Sequence, residues 1–173
     1  LSAWAIDSDR TNVKKIGRID HPFPNENSAV WSPDGKQVAL FVSEGYSDKW
    51  PSFANSAGPD FVQRLAIWDA TTGEIAVIPD LRPQGHGPKW SPDGRKLLVA
   101  GMTDEQLDRQ SQTDSHAETE VWTIDVATEL TTNVSSDPDH NTFPLWSPDG
   151  SRIAFHTYTY DVEDRSQPEL IDS

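Results

Sequence analysis

The chain has 173 residues and a formal net charge of −14 at pH 7, from 28 acidic and 14 basic side chains. This balance argues against a nucleic-acid-binding surface, which needs clustered Lys and Arg to neutralise phosphates. The chain contains no cysteine, which excludes disulfides, thiolate metal sites and cysteine nucleophiles, and its apolar runs are shorter than the roughly 18 residues of a membrane span, so we expect no membrane insertion.

The first predicted element is an apolar strand in the segment AWAIDSD, around Asp7. The segments LAIWDATTGEIAVI, around Asp69, and EVWTIDVATELTTNV, around Asp125, follow the same plan of apolar strand, Asp, short polar turn and second apolar strand. The interval from Asp7 to Asp69 is nearly the same as that from Asp69 to Asp125. This spacing predicts a repeated two-stranded hairpin.

A second repeated segment, WSPDG, begins at Trp31, Trp90 and Trp146 and recurs with nearly the same period. Pro presets φ for a turn, Asp bonds to nearby backbone, and Gly accepts a positive φ, so each copy predicts a hairpin turn with a structural role. The residues assigned to this turn motif are Trp31, Pro33, Asp34, Gly35, Trp90, Pro92, Asp93, Gly94, Trp146, Pro148, Asp149 and Gly150.

The two repeated segments alternate and together predict four strands per repeat. Each WSPDG turn joins a first strand to a second, nearly continuously apolar strand that should be buried on both faces; an insertion follows, and the Asp-bearing hairpin supplies strands three and four. Four-stranded antiparallel sheets repeated around an axis form a β-propeller. We predict this all-β fold over a two-sheet sandwich, because a sandwich does not need one turn at a fixed period.

The predicted propeller segment occupies residues 1–173, with blade repeats at roughly 1–20, 28–79, 86–134 and 142–173. These amount to about three blades: a half, two whole and a half. We expect core packing for the repeated tryptophans, both those of the third strands and those before the turns: Trp4, Trp68, Trp122, Trp31, Trp90 and Trp146.

The WSPDG segment followed by an IWD or WTID strand resembles the repeat of the TolB-type, WD-like β-propeller family, and the resemblance covers essentially the whole chain. Similar repeats occur in the propeller domains of prolyl oligopeptidase-like enzymes and in some polysaccharide lyases. The resemblance implies a six-bladed propeller, a noncatalytic role in binding a protein or peptide, and a periplasmic or secreted location. Two enzymatic alternatives stay open: the propeller of a larger prolyl oligopeptidase-like peptidase, and a relative of the oligogalacturonate lyases.

Half-blades at both ends would leave blade faces uncovered, so we expect either a homodimer that completes six blades or a longer parent chain. The chain opens at Leu1 without a basic-then-apolar leader, which fits either a processed protein or a piece of a longer one.

Strand order assigns the loops to two faces of the propeller. The turns between first and second strands lie on one face, and the insertions between second and third strands lie on the other, with the connections between blades. These insertions are polar and variable, which is typical of recognition loops on a rigid scaffold. In the first insertion Tyr46, Trp50 and Phe53 are candidates for contact with a sugar ring or a partner peptide; packing of the loop onto its own blade is the alternative.

Three histidines, His21, His86 and His140, each precede a WSPDG tryptophan, and we expect them in the loops between blades, toward the channel mouth. They are binding candidates. Imidazoles from successive blades also suit a transition metal, and resemblance to oligogalacturonate lyase-like propellers implies a Mn site there. Their offsets from Trp are unequal, which leaves ordinary loop histidines as the alternative.

Catalytic signatures are absent from the sequence. It has no Gly-x-Ser-x-Gly elbow, P-loop, dinucleotide fingerprint or His-Glu-x-x-His motif. We therefore assign no catalytic residue and no cofactor, with a divalent metal at the three histidines as the alternative.

Overall fold

The computed structural model describes residues 2–18, 29–44, 62–113, 119–135 and 140–158. In these ranges every regular element except one short helix is a β-strand. The elements, in chain order, are β1 (Ser2–Ala5), β2 (Lys14–Arg18), β3 (Ala29–Trp31), β4 (Gln37–Glu44), β5 (Val62–Asp69), β6 (Ile75–Ile78), β7 (Leu81–Trp90), β8 (Lys96–Thr103), α1 (Asp104–Thr113), β9 (Glu120–Asp125), β10 (Thr131–Asn133), β11 (His140–Trp146) and β12 (Ile153–Tyr158).

The strands form two complete four-stranded sheets and two two-stranded sheets, all paired antiparallel with sequence neighbours. We call β3–β6 blade 1 and β7–β10 blade 2, and we call β1–β2 and β11–β12 the N-terminal and C-terminal half-blades. This arrangement confirms the predicted fold class, an all-β propeller arc with a half, two whole and a half blade.

Each WSPDG segment forms the turn between a first and a second strand. In the turn of blade 2, the Ser91 hydroxyl donates to Oδ1 of Asp93 (2.7 Å), the N–H of Arg95 donates to the same oxygen (3.1 Å), and the N–H of Lys96 donates to Oγ of Ser91 (2.9 Å). Gly94 has φ +71°, where glycine avoids the clash that a Cβ would make. The other two turns repeat this pattern of hydrogen bonds.

The main hydrophobic core lies between blades 1 and 2, where the two sheets pack face to face. The second strands are buried over residues 38–41 of β4 and 97–102 of β8. The fully enclosed cluster comprises Ala39, Phe41, Leu65, Ile67 and Ile78 from blade 1, and Leu81, Leu97, Val99 and Ile124 from blade 2.

The expected core packing of the tryptophans holds for Trp68, which is 5% exposed, but it is wrong for two others in this chain. Trp4 is 59% exposed and Trp31 is 51% exposed. Both belong to the seam where the N-terminal half-blade meets blade 1, and the described residues provide no first or second strand for that half-blade. Among the described residues, no first strand lies where it would cover these rings.

Part of the second insertion, expected to be a polar loop, is the helix α1. Thr103 and Gln106 form a capping box: the N–H of Gln106 donates to Oγ1 of Thr103 (3.1 Å), and the N–H of Thr103 donates to Oε1 of Gln106 (2.7 Å). Asp104 and Glu105 follow in the first turn, where negative charge favours a helix. No helix in the described part of the chain is long and apolar enough to cross a membrane.

The turn hydrogen bonds lower the pKa of the WSPDG aspartates, and that of Asp149 falls to about 2, chiefly because the Ser147 hydroxyl donates to its carboxylate. Since the folded-state pKa is depressed, this carboxylate favours the folded state above the unfolded pKa of about 3.9. That contribution is lost as the pH falls through about 2.

We expect Ser147→Ala to raise the pKa of Asp149 toward its ordinary value, as followed by NMR titration of the side-chain carboxyl. Asp93, in a different turn, is an internal control whose pKa should not move. A titration midpoint of Asp149 near 4 in the unmodified chain would contradict the proposed role of the hydroxyl.

Candidate functional site

A cavity of about 190 Å³ opens between blade 2 and the C-terminal half-blade. It lies at the end of the blades opposite the WSPDG turns. Most of its lining residues come before the Trp of β7 or the Trp of β11, and Thr119 comes just before β9. The lining residues are Gln84, Gly85, His86, Ala100, Thr119, His140, Thr142, Phe143 and Pro144.

Irregularities in the first strands create this cavity. In β7, Gln84 pairs with Ala100 and Lys89 pairs with Leu98, so the stretch between them on β7 is longer than the stretch it faces on β8. The strand leaves regular pairing at Gly85, where φ is +72°. Pro88 has no backbone N–H to donate to the neighbouring strand, so it helps to maintain the break in pairing.

The matching irregularity in β11 lies at Phe143 and Pro144, between the pairs Thr142–His156 and Leu145–Ala154. Phe143 has φ +54°, a conformation that is strained for a bulky residue without a special surrounding structure. Bulges of this kind turn side chains out of the regular alternation of a strand and are frequent beside functional sites.

Aromatic rings cluster at the cavity around Phe143. Its ring centroid lies 4.5 Å from that of His86 and 5.4 Å from that of His156. The rings of His140 and Tyr158 are 6.2 Å apart. His86 of a first strand and His156 of a second strand thus both contact the partly exposed ring of Phe143.

Contacts with blade 2 position His140. The N–H of Thr119 donates to Nδ1 of His140 (3.4 Å). The hydroxyl of Thr119 donates to the carbonyl of Asn141 (2.9 Å), and the N–H of Asn141 donates back to the carbonyl of Thr119 (2.7 Å). These bonds tie the start of β11 to the start of β9.

Thr142 lines the cavity, and its Oγ1 is buried without a hydrogen-bond partner among the described residues. A buried hydroxyl without a partner carries a desolvation cost of about 1–3 kcal/mol. A bound group that donates to or accepts from this oxygen would remove that cost.

The predicted placement of the histidines needs correction. His86 and His140 lie within the first strands rather than in loops between blades, because β7 begins at Leu81 and β11 begins at His140. They line the same cavity. His21 lies outside the described residues, and within those residues no group of three or more His, Cys, Asp or Glu side chains is placed to hold a metal ion. The other binding candidates, Tyr46, Trp50 and Phe53, also lie outside the described ranges.

A second cavity, of about 470 Å³, lies between the WSPDG turns of blade 2 and the C-terminal half-blade. The polar side chains of Ser91, Asp93 and Asp149 in its wall already form hydrogen bonds within their own turns. The cavity opposite the turns is the better candidate, because the Thr142 hydroxyl in its wall has no hydrogen-bond partner among the described residues.

Sequence reasoning missed an ion cluster on the side of the molecule opposite the turns. Asp104, the first residue of α1, accepts a bidentate pair of hydrogen bonds from Arg64 of blade 1 (3.0 and 2.7 Å) and another bond from Nε of Arg82 of blade 2. The side chain of Arg64 is only 12% exposed. The cluster fixes α1 and links the two blades; a sequence signal for it would have been the capping box that starts the helix at this residue.

The contact with Arg64 lowers the pKa of Asp104. Asp104→Asn should destabilise the chain by about 2 kcal/mol at neutral pH, because it removes the negative charge that accepts hydrogen bonds from both Arg64 and Arg82. Glu105→Gln removes an exposed charge from the same helical turn and should cost about 0.5 kcal/mol or less.

Urea denaturation of the two variants measures this difference. The difference in the free energy of unfolding between the two variants should shrink as the pH falls below the unfolded Asp pKa of about 3.9. The pKa of Asp104 is lower in the folded state, so its carboxylate stabilises the fold above that pH and loses this effect in acid. Equal destabilisation by both substitutions would contradict the structural role of the cluster.

Comparison with known proteins extends the fold assignment. No protein-family profile matches the chain. Among solved structures, TolB from Acinetobacter baumannii is similar over 88% of this chain and 31% of its own, with 14% identity and a TM-score of 0.52. Hydrazine synthase of Kuenenia stuttgartiensis is similar over 89% of this chain and 42% of its own, with 17% identity and a TM-score of 0.55. The chain spans less than half of either protein, and at these identities the likeness concerns the fold: the chain has the fold of a TolB-like β-propeller.

Proposed function

We propose that this chain is a noncatalytic binding scaffold that contacts a protein or peptide through the face opposite the WSPDG turns. The observation that carries the proposal is the cavity beside Phe143, which combines an unpaired buried hydroxyl with a strained aromatic residue. Backbone strain of this kind persists only where the surrounding structure enforces it and is concentrated at functional sites.

The size of the cavity favours a partner side chain over a free ligand of drug size. Pockets for such ligands occupy about 300–1,000 Å³, whereas this cavity occupies about 190 Å³. A single side chain projecting from a peptide or a protein loop fits this volume better.

The lining defines the chemistry of that side chain. Phe143 and His86 offer ring surfaces, and Thr142 offers an unpaired hydroxyl. An aromatic side chain with a polar tip, as in Tyr, would stack on the rings and give the hydroxyl a partner. The net charge of −14 favours encounter with a basic partner.

The proposal includes a periplasmic or secreted location, which rests on the sequence resemblance to the TolB-type family. The noncatalytic assignment rests on the lack of catalytic motifs in the sequence. A parent chain that continues into a domain with a Gly-x-Ser-x-Gly motif would favour the peptidase alternative instead.

Selection of displayed peptides on the immobilised chain, followed by measurement of Kd for the selected peptides, tests the proposal. Thr142→Val keeps the shape of the side chain and removes the hydroxyl. It should weaken binding about 2- to 10-fold, the equivalent of one hydrogen bond, while leaving the stability unchanged or higher, because the hydroxyl has no hydrogen-bond partner among the described residues.

Thr132→Val, at an exposed position of the outer strand β10, is the matched control and should leave Kd unchanged. Phe143→Ala should weaken binding further by removing the ring surface. Selected peptides whose Kd is insensitive to both Thr142→Val and Phe143→Ala would show that the partner does not use this cavity.

A further inference from the structure

The ion cluster of Arg64, Arg82 and Asp104 is a local excess of positive charge on the face opposite the WSPDG turns. Two guanidinium groups share one carboxylate, so the cluster has more positive than negative charge. The chain as a whole has a net charge of −14. A positive group that persists in such an acidic chain is a candidate for recognition of an anion.

Strand β7 places Arg82 beside the candidate cavity. Regular pairing holds from Leu81 to Gln84, and within this stretch Leu81 packs into the core between blades 1 and 2, whereas Gln84 lines the cavity on the other face of the sheet. Residues two apart on a strand share a face and are separated by about 7 Å. Arg82 therefore extends from the same face as Gln84, one step nearer to the end of the blade opposite the turns.

The neighbouring strand β8 gives the same placement. Met102 pairs with Arg82, and Ala100 pairs with Gln84. Ala100 lines the cavity, so Met102, two residues further along β8, lies on the cavity face as well. On this face of blade 2, Arg82 thus lies between the cavity and the start of α1.

The two arginines of the cluster differ in how they use their N–H groups. Arg64 donates from both Nη1 and Nη2 to Asp104, and its side chain is 12% exposed. Arg82 donates from Nε, and its side chain is 25% exposed. Its Nη1 and Nη2 donate to no described residue. The bond to Asp104 therefore holds a guanidinium group that retains donors at its partly exposed end.

We propose that Arg82 binds a carboxylate of the same peptide whose side chain enters the cavity. This inference rests on the function proposed above and adds a second recognised group to it. A planar guanidinium donates two parallel hydrogen bonds to a carboxylate. The short step from Gln84 to Arg82 suits a carboxylate on the residue that fills the cavity or on the residue next to it.

The overall charge of the chain limits the kind of peptide that fits. A chain with a net charge of −14 repels a generally acidic partner. The recognised carboxylate is therefore a single acidic group in an otherwise neutral or basic peptide. Its two sources are the C-terminus of the peptide and the side chain of an Asp or Glu.

Neutralising the carboxylates of the peptide one at a time tests the proposal. The probes are peptides that are selected by display with a free C-terminus and whose Kd rises in Thr142→Val. Each is synthesised with a free and with an amidated C-terminus, and with each Asp or Glu replaced by its amide. One of these changes should weaken binding to the unmodified chain about 10-fold, the equivalent of a charge-assisted hydrogen bond. Loss on amidation identifies the C-terminus, and loss on side-chain replacement identifies an acidic residue.

The same pairs of peptides are then measured on Arg82→Gln, where neutralisation should change Kd by less than about 2-fold. Comparing two forms of one peptide on one variant separates the contact from any change in stability, and the effect in the unmodified chain requires no substitution. Arg95→Gln is the matched control, because Arg95 is an exposed arginine of a WSPDG turn on the other face. This variant should retain the about 10-fold effect.

Two results would overturn the proposal while leaving the binding function of the cavity intact. One is that no neutralisation weakens binding to the unmodified chain, and the other is that neutralisation weakens binding equally in Arg82→Gln. In both cases the peptides would still respond to Thr142→Val. If no selected peptide responds to Thr142→Val or Phe143→Ala, the proposed function and the role of Arg82 both fail.

Discussion

The contact between successive first strands is the constraint on which this structure depends. An indole N–H in one blade binds a backbone carbonyl of the blade before it, at Trp90 and again at Trp146. A buried indole needs such a partner, and its ring supplies much of the apolar contact area beside it. The bond joins one first strand to the next, and between blades 1 and 2 the apolar second strands are enclosed.

The candidate site depends on the same seam. Regular pairing holds near the WSPDG turns, where the indole bond lies, and it breaks toward the opposite end at Gly85 and Phe143. The cavity lies beside these breaks, and the bonds between Thr119 and Asn141 join the two blades there. A rigid frame with one local irregularity is a suitable support for a binding site.

Local chemistry explains why the sequence predicted the turns, the strand order and the half-blades. The Ser, Pro, Asp and Gly of each turn act within a few residues of one another, and their spacing requires little knowledge of the rest of the chain. The capping box of α1 was equally local and was overlooked. The cavity and the Arg64–Asp104 contact could not be predicted in this way, because they join residues from different blades. The exposure of Trp4 and Trp31 depends on a neighbouring blade that the sequence pattern alone does not place.

Hydrogen exchange of the indole N–H groups, followed by NMR as a function of protein concentration, tests the blade-to-blade contact most directly. Trp90 and Trp146 should be protected at every concentration, because their bonds lie within one chain. Trp31, identified by its loss in Trp31→Phe, should exchange faster than both, because it is half exposed and its indole N–H has no carbonyl partner among the described residues. Exchange of Trp90 and Trp146 as fast as that of Trp31 would contradict the contact between successive first strands.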